Sequence, residues 1–132
     1  KNIFNEYYKF DKNTKSSIKT LIKKFNTCNY NIILNSEEFE ILNTKFTKLI
    51  IKKIKSFLFK HSINLNKVDV VGLHGNTLIH EPKKGLSIQL GNPNLLSNQL
   101  KIKVISSFRD SDIKADGQGA PLVPIFHKCK FT

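Results

Sequence analysis

Asp116-Gly117-Gln118-Gly119-Ala120-Pro121-Leu122-Val123-Pro124, arriving just after Phe108-Arg109-Asp110-Ser111-Asp112, gathers special-backbone residues and polar side chains into one short stretch. Two glycines one residue apart permit positive φ angles and let a ligand lie against main-chain N–H groups, while Pro121 and Pro124 stiffen the backbone after them. Arg109 is the single arginine among 22 basic residues. Its planar fork of donors clamps a carboxylate, a sugar oxygen or a phosphate as lysine's point charge does not. A structural bidentate pair with Asp110 or Asp112 would use the same fork, and spacing alone leaves both readings open.

Two more polar blocks, His74-Gly75-Asn76-Thr77 and Gln89-Leu90-Gly91-Asn92, need elements to position them. All six glycines and all four prolines lie after Val71, which divides a mainly helical front, residues 1–66, from a strand- and turn-rich back, residues 67–132. In the front, Ile18, Leu21, Ile22 and Phe25 repeat at helical spacing. A longer stripe runs from Phe39 through Leu42, Phe46, Leu49, Ile50, Ile54, Phe57 and Leu58 to about Lys60, with Asn35 and Glu38 spaced as a capping box. The back alternates β-rich runs, Val68 to Leu73, Leu86 to Leu90 and Ile102 to Phe108, with turns. Glu81 to Gly85 reads as a hairpin turn, and Asn92-Pro93 as an N-cap followed by proline at the first helical position. The strand, helix, strand unit from Leu86 to Phe108 predicts a parallel pair in an α/β domain. All three polar blocks would then fall just beyond strand carboxyl ends, where ligands of α/β sheets gather. His74, Asn76, Thr77, Gln89, Asn92, Arg109, Asp112 and Gln118 supply the mixed donors and acceptors that a sugar requires.

Length and charge narrow the possibilities. The 132 residues make one domain, and the absence of methionine, with an apolar Leu122 to Phe126 run just before the end, leads us to expect an internal piece of a longer protein. A formal charge of +12 raises nucleic acid or an anionic membrane as a partner. Lysines scattered along the whole chain, 14 asparagines and many isoleucines fit compositional drift and a solvated face better, so neither partner is expected. Cys28 and Cys129 without CxxC spacing fit a reduced cytoplasmic protein, and no apolar run approaches the roughly 18 residues of a bilayer span. His74, His80, Glu81, His127 and Cys129 lack metal-ligand spacing, and no metal site is expected. Gly117-Gln118-Gly119 lacks the lysine of a P-loop, and Asp112 with Asp116 would make an acid/base pair only on a helix.

The ordered blocks His-Gly-x-Thr, His-x-Pro, Gln-x-Gly, Phe-Arg-x-x-Asp and Gly-Gln-Gly-Ala-Pro-Leu-Val-Pro resemble the anhydro-N-acetylmuramic acid kinase family over roughly Glu37 to His127. The resemblance implies part of the N-terminal lobe of an actin-like, ribonuclease H-like ATPase fold. It also implies the family's reaction, in which ATP with Mg2+ phosphorylates O6 of 1,6-anhydro-N-acetylmuramic acid while water opens the anhydro bond, in peptidoglycan recycling. Carried over to this sequence, His74, Asn76, Thr77, Gln89, Asn92, Arg109, Asp112, Gly117, Gln118 and Gly119 would bind the amino sugar, with His80 serving the Glu81-Pro82 turn. The family's phosphate-gripping turn would precede Lys1 and its general base would lie beyond Thr132, so the piece alone would be inert. A homodimer is left open for the full-length protein. Asn76, Asn92, Ser107 and Asp116 stand where the family usually has Gln, Asp, Asp and Gly. These departures keep a non-catalytic or substrate-shifted member of the superfamily as the alternative.

Overall fold

The computed structural model describes residues 3–121. Leu122, Val123 and Pro124 of the glycine-rich match, with His127 and Cys129, lie outside the described residues. The elements run α1 (Lys12–Thr27), α2 (Tyr30–Leu34), α3 (Glu37–Lys60), β1 (Val70–Gly72), β2 (Asn76–Glu81), β3 (Leu86–Leu90), α4 (Pro93–Leu100), β4 (Lys103–Ile105) and α5 (Asp110–Lys114), an α/β arrangement.

Helix α1 begins where the Asp11 carboxylate accepts from the amide and the hydroxyl of Thr14, at 2.8 and 2.7 Å. Those bonds satisfy an amide that the first turn leaves orphaned. Its predicted apolar stripe is buried at Ile18, Leu21 and Phe25. Helix α3 starts one residue later than the Asn35–Glu38 box predicted. Ser36 is the cap, accepting from the Phe39 amide at 3.2 Å. Asn35 instead closes α2, a turn of helix that the spacing did not disclose, and Glu38 pairs with Lys24 of α1. The N-terminal segment is tied to the far end of α3 by Glu6, which meets Lys60 Nζ at 2.6 Å and His61 Nε2 at 3.1 Å.

The strands form two separate ribbons. β2 and β3 make the expected antiparallel hairpin, turning at Gly85. The parallel pair is not the predicted one: β4 lies beside β1, with Val71 opposite Val104, and not beside β3. Helix α4 therefore crosses from one ribbon to the other, and chain neighbours are not sheet neighbours here. In the hairpin, Leu78 is an extra residue between the pairs Thr77–Gln89 and Ile79–Ile88, a β-bulge. It places two consecutive apolar residues of β2 on the core side.

Two cores result, and α3 serves both. Ile18, Leu21, Phe25, Ile33, Leu42, Phe46, Leu78 and Leu90 form the first, among α1, α2, α3 and the hairpin. Ile51, Leu73, Leu96, Leu100 and Ile102 form the second, between α3, α4 and the β1–β4 ribbon. Where the two meet, α3 carries two polar residues one turn apart. Asn43 Oδ1 accepts from the Gly91 amide at 2.7 Å, and Thr47 Oγ1 accepts from the Asn92 amide at 2.9 Å while donating to the Asn43 carbonyl at 2.7 Å. Thr47 is fully buried. The turn between β3 and α4 is thus bolted to α3 through consecutive backbone donors.

Thr47→Val keeps the shape but strands the Asn92 amide, and should lower unfolding free energy by about 1–3 kcal/mol, with Thr47→Ser much closer to wild type; urea denaturation of the three proteins decides this. The hydrogen bonds from Thr14 hold the Asp11 carboxyl below its ordinary value. A lowered folded-state pKa contributes stability above the unfolded value of about 3.9, lost as pH falls through the folded one. Acid titration should therefore fray the start of α1 in wild type and leave that end insensitive in Asp11→Asn, read by amide chemical shifts of Thr14 and Lys15.

Candidate functional site

The loops after β1 and β4 end side by side because the two strands are parallel and in register. After β1 comes His74-Gly75, and after β4 comes the Ser106–Arg109 turn leading into α5. The His74-Gly75 turn also lies directly on the end of β3. Gly75 has φ +75, and a Cβ there would come within 2.2 Å of the Leu90 carbonyl oxygen and 3.1 Å of Gln89 Cβ. Only glycine allows that approach.

Arg109 sits at the centre of this junction. Its Nη1 donates to the Gly119 carbonyl at 3.0 Å, its Nη2 meets His74 Nε2 at 3.2 Å, and its buried Nε has no hydrogen-bond partner among the described residues. The structural pairing with Asp110 or Asp112 that spacing allowed does not occur: among the described residues neither carboxylate forms an ion pair with Arg109. The guanidinium is held by a backbone oxygen and an imidazole, and among the described residues no carboxylate pairs with it.

Asp112 organises the glycine-rich loop. Its Oδ2 accepts from the Gly119 amide at 2.6 Å, and its carbonyl accepts from the Gly117 amide at 2.8 Å. Asp112 thus takes the amides of both loop glycines. The loop is packed to the limit of glycine: a Cβ on Gly117 would fall 2.3 Å from Asp112 Oδ2, and one on Gly119 2.8 Å from the Ile113 side chain. Asp112 lies within α5, but Asp116 lies past its end at φ +60. The two do not form an acid/base pair. Asp116 occupies a left-handed position, one that glycine adopts without steric cost. Ser107 is likewise left-handed, at φ +57.

The remaining predicted residues separate into three placements. Thr77 and Gln89 are opposite each other on the hairpin face away from the first core, with His80 and Ser87 beside them. Gln89 Nε2 donates to Ser87 Oγ at 2.7 Å, and His80 Nδ1 lies 3.0 Å from the same oxygen, so His80 bridges the strands and does not cap the Pro82 turn. Asn76 and Thr77 open β2 and do not follow a strand end; Asn76 pairs with Leu90, on the core side. Asn92 caps α4, accepting from the Leu95 amide at 3.0 Å, a task aspartate performs equally. Gln118 is exposed. Sequence reasoning missed Ser87, which joins His80 to Gln89, and Asn43 and Thr47, which set the Gly91-Asn92 turn. A polar pair four apart inside an apolar stripe was the available signal. Among the described residues no three of His, Cys, Asp and Glu converge as metal ligands.

The sequence matches the family profile described as anhydro-N-acetylmuramic acid kinase over residues 5–132. Similar curated proteins carry the same description. The one from Methylobacterium nodulans is 44% identical over 84 residues, covering 64% of this chain and 22% of the relative. That from Pseudomonas syringae pv. tomato is 44% identical over 91 residues, 69% of this chain and 25% of the relative. That from Pelagibacter ubique is 38% identical over 125 residues, 95% of this chain and 32% of the relative. The chain thus spans between about a fifth and a third of the length of these relatives.

Asp112→Ala leaves the buried Gly119 amide without its acceptor and should cost about 1–3 kcal/mol. Asp116→Gly, which removes only a side chain from a left-handed residue, should leave stability unchanged or raise it by up to about 1 kcal/mol. Denaturant midpoints of the two variants beside wild type check both signs.

Proposed function

The chain belongs to the anhydro-N-acetylmuramic acid kinase family, and from that premise we propose that it supplies the sugar-binding wall of an ATP-dependent kinase. The reaction would phosphorylate O6 of 1,6-anhydro-N-acetylmuramic acid while water opens the anhydro bond, giving N-acetylmuramate 6-phosphate in peptidoglycan recycling. The observation that carries this reading is the guanidinium of Arg109, anchored by a carbonyl and an imidazole with no carboxylate paired to it among the described residues. The proposed sugar bears a carboxylate, hydroxyls and an amide. A guanidinium takes the first best, in a bidentate fork.

The other assignments rest on placement. Arg109 would meet the sugar's polar substituents, and His74 would serve that contact through its bond to the guanidinium. Thr77 and Gln89 would offer a hydroxyl and a carboxamide from the hairpin face, Gln89 being oriented by Ser87. Asp112 would act through the loop, whose residues Gly117, Gln118 and Gly119 wall the cleft. Asn92 and Asn76 would contribute through the turn and strand they build. Two of the four departures from the family pattern, Asn92 and Asp116, concern a helix cap and a backbone conformation. Asn92 lacks a carboxylate yet still caps its helix, and Asp116 adopts a conformation open to glycine, so these two weigh little toward a non-catalytic or substrate-shifted member.

Phosphoryl transfer needs positioned phosphates, a metal and an oriented nucleophile together. The described residues do not suit a Mg2+ cage, since no three metal-ligating side chains converge among them. ATP, Mg2+ and the general base would therefore be held by the remaining length of the kinase. We place the protein in the cytoplasm. Cys28 is an exposed free thiol, and among the described residues no helix is long and apolar enough to cross a membrane. A homodimer is the assembly to test.

The test is ATP-dependent conversion of 1,6-anhydro-N-acetylmuramic acid by the full-length protein that carries this chain. Wild type should turn over, and Arg109→Lys should lose about 10- to 100-fold in kcat/KM, the worth of a charged, bidentate hydrogen-bond pair. A wild type without turnover overturns the kinase reading and leaves the non-catalytic or substrate-shifted member in its place.

A further inference from the structure

The two ring nitrogens of His74 face opposite demands. Arg109 has donors only, so the nitrogen it meets must accept. His74 Nε2, 3.2 Å from Arg109 Nη2, therefore carries a lone pair. The Gly75 carbonyl can only accept, so His74 Nδ1, 3.2 Å from it, carries the proton. The Gly75 contact puts a proton on Nδ1 and the Arg109 contact keeps one off Nε2, so together they select the neutral imidazole protonated on Nδ1.

We infer that His74 is a positioning residue for Arg109, holding one arm of the guanidinium through the Nε2 lone pair while the Gly119 carbonyl holds the other. An ordinary arginine would be oriented by a carboxylate, which would also cancel its charge. Here one arm is fixed by a backbone oxygen from the glycine-rich loop and the other by a ring that is itself fixed to a backbone oxygen of the β1–β2 turn. Among the described residues the second N–H of each Nη has no partner, and the plane of the fork is set before any anion arrives. The line of bonds runs from the Gly75 carbonyl through His74 and Arg109 to Gly119, and from the Gly119 amide to Asp112. It couples the loop after β1 to the loop after α5. Its effect on sugar binding rests on the kinase reading above, whereas the state of the ring does not.

The ring state is read directly on the 15N-labelled chain by long-range 1H–15N correlation at a pH of about 8, well above the ordinary histidine value of about 6.5, where histidines are neutral. The result expected is a His74 ring with its proton on Nδ1 and an unprotonated Nε2 in wild type. An Nε2-protonated ring overturns the inference. A second arm uses the full-length protein and the sugar's KM. The Oε1 of His74→Gln accepts from Arg109, so KM should stay within about threefold of wild type, whereas His74→Leu should raise it about tenfold with a smaller change in kcat. Equal impairment in both variants, or none in either, overturns it as well. If the full-length protein is inactive, the ring measurement still decides the role of His74.

Discussion

Asn43 and Thr47, two polar side chains on one face of α3, take the consecutive amide protons of Gly91 and Asn92, and the geometry of the back half descends from that grip. Apolar burial is strong but without direction, so packing alone would let the hairpin and α4 slide on α3. Hydrogen bonds to two adjacent peptide units fix both place and heading. With the exit of β3 held there, Asn92 caps α4, α4 covers the second core, and β4 emerges beside β1. The loops after those two strands then meet, which is how His74 and Arg109, 35 residues apart, come within hydrogen-bond distance.

The chain treats its cations in two ways. Lys24, Lys60 and Lys84 pair with Glu38, Glu6 and Glu81 near the surface, where such contacts contribute little to stability and are screened by salt. The Lys60 ammonium nevertheless holds the Glu6 carboxyl below its ordinary value, with His61 adding to it. Arg109 is handled otherwise, by a carbonyl and a neutral ring that satisfy donors without cancelling charge. The first arrangement ends an electrostatic field and the second preserves one.

Helices α1 and α3 were legible because burial imposes a period that a sequence displays, whereas the single turns α2 and α5 are too short to show one. Ile18, Leu21 and Phe25 face inward as their spacing requires. The hairpin was legible from its turn residues, and Asn92 with Pro93 marked the start of α4. The pairing of β4 with β1 was not, since chain order favours neighbours and the contacts of α4 and β4 with the second core are long-range. Arg109 suggested a clamp by its rarity, but its partners are a backbone oxygen and an imidazole, and neither announces itself as a carboxylate would. The glycine pair suggested amide donors for a ligand, while the structure gives both amides to Asp112. The tie of Glu6 to His61 spans 55 residues and leaves no local trace.

The bulge at Leu78 bears on how the hairpin tolerates changes in length. Pairs before and after it alternate between core and polar faces in the same sense, with Thr77 and His80 both on the polar side. Deleting Leu78 would leave each remaining residue of β2 facing as it does now. The loss would be one buried side chain, with the alignment of the two strands intact. Deleting Thr77 or His80 would instead remove a member of the polar face itself. Shortening by one residue is thus a packing defect at this position and a loss of exposed chemistry one or two positions away.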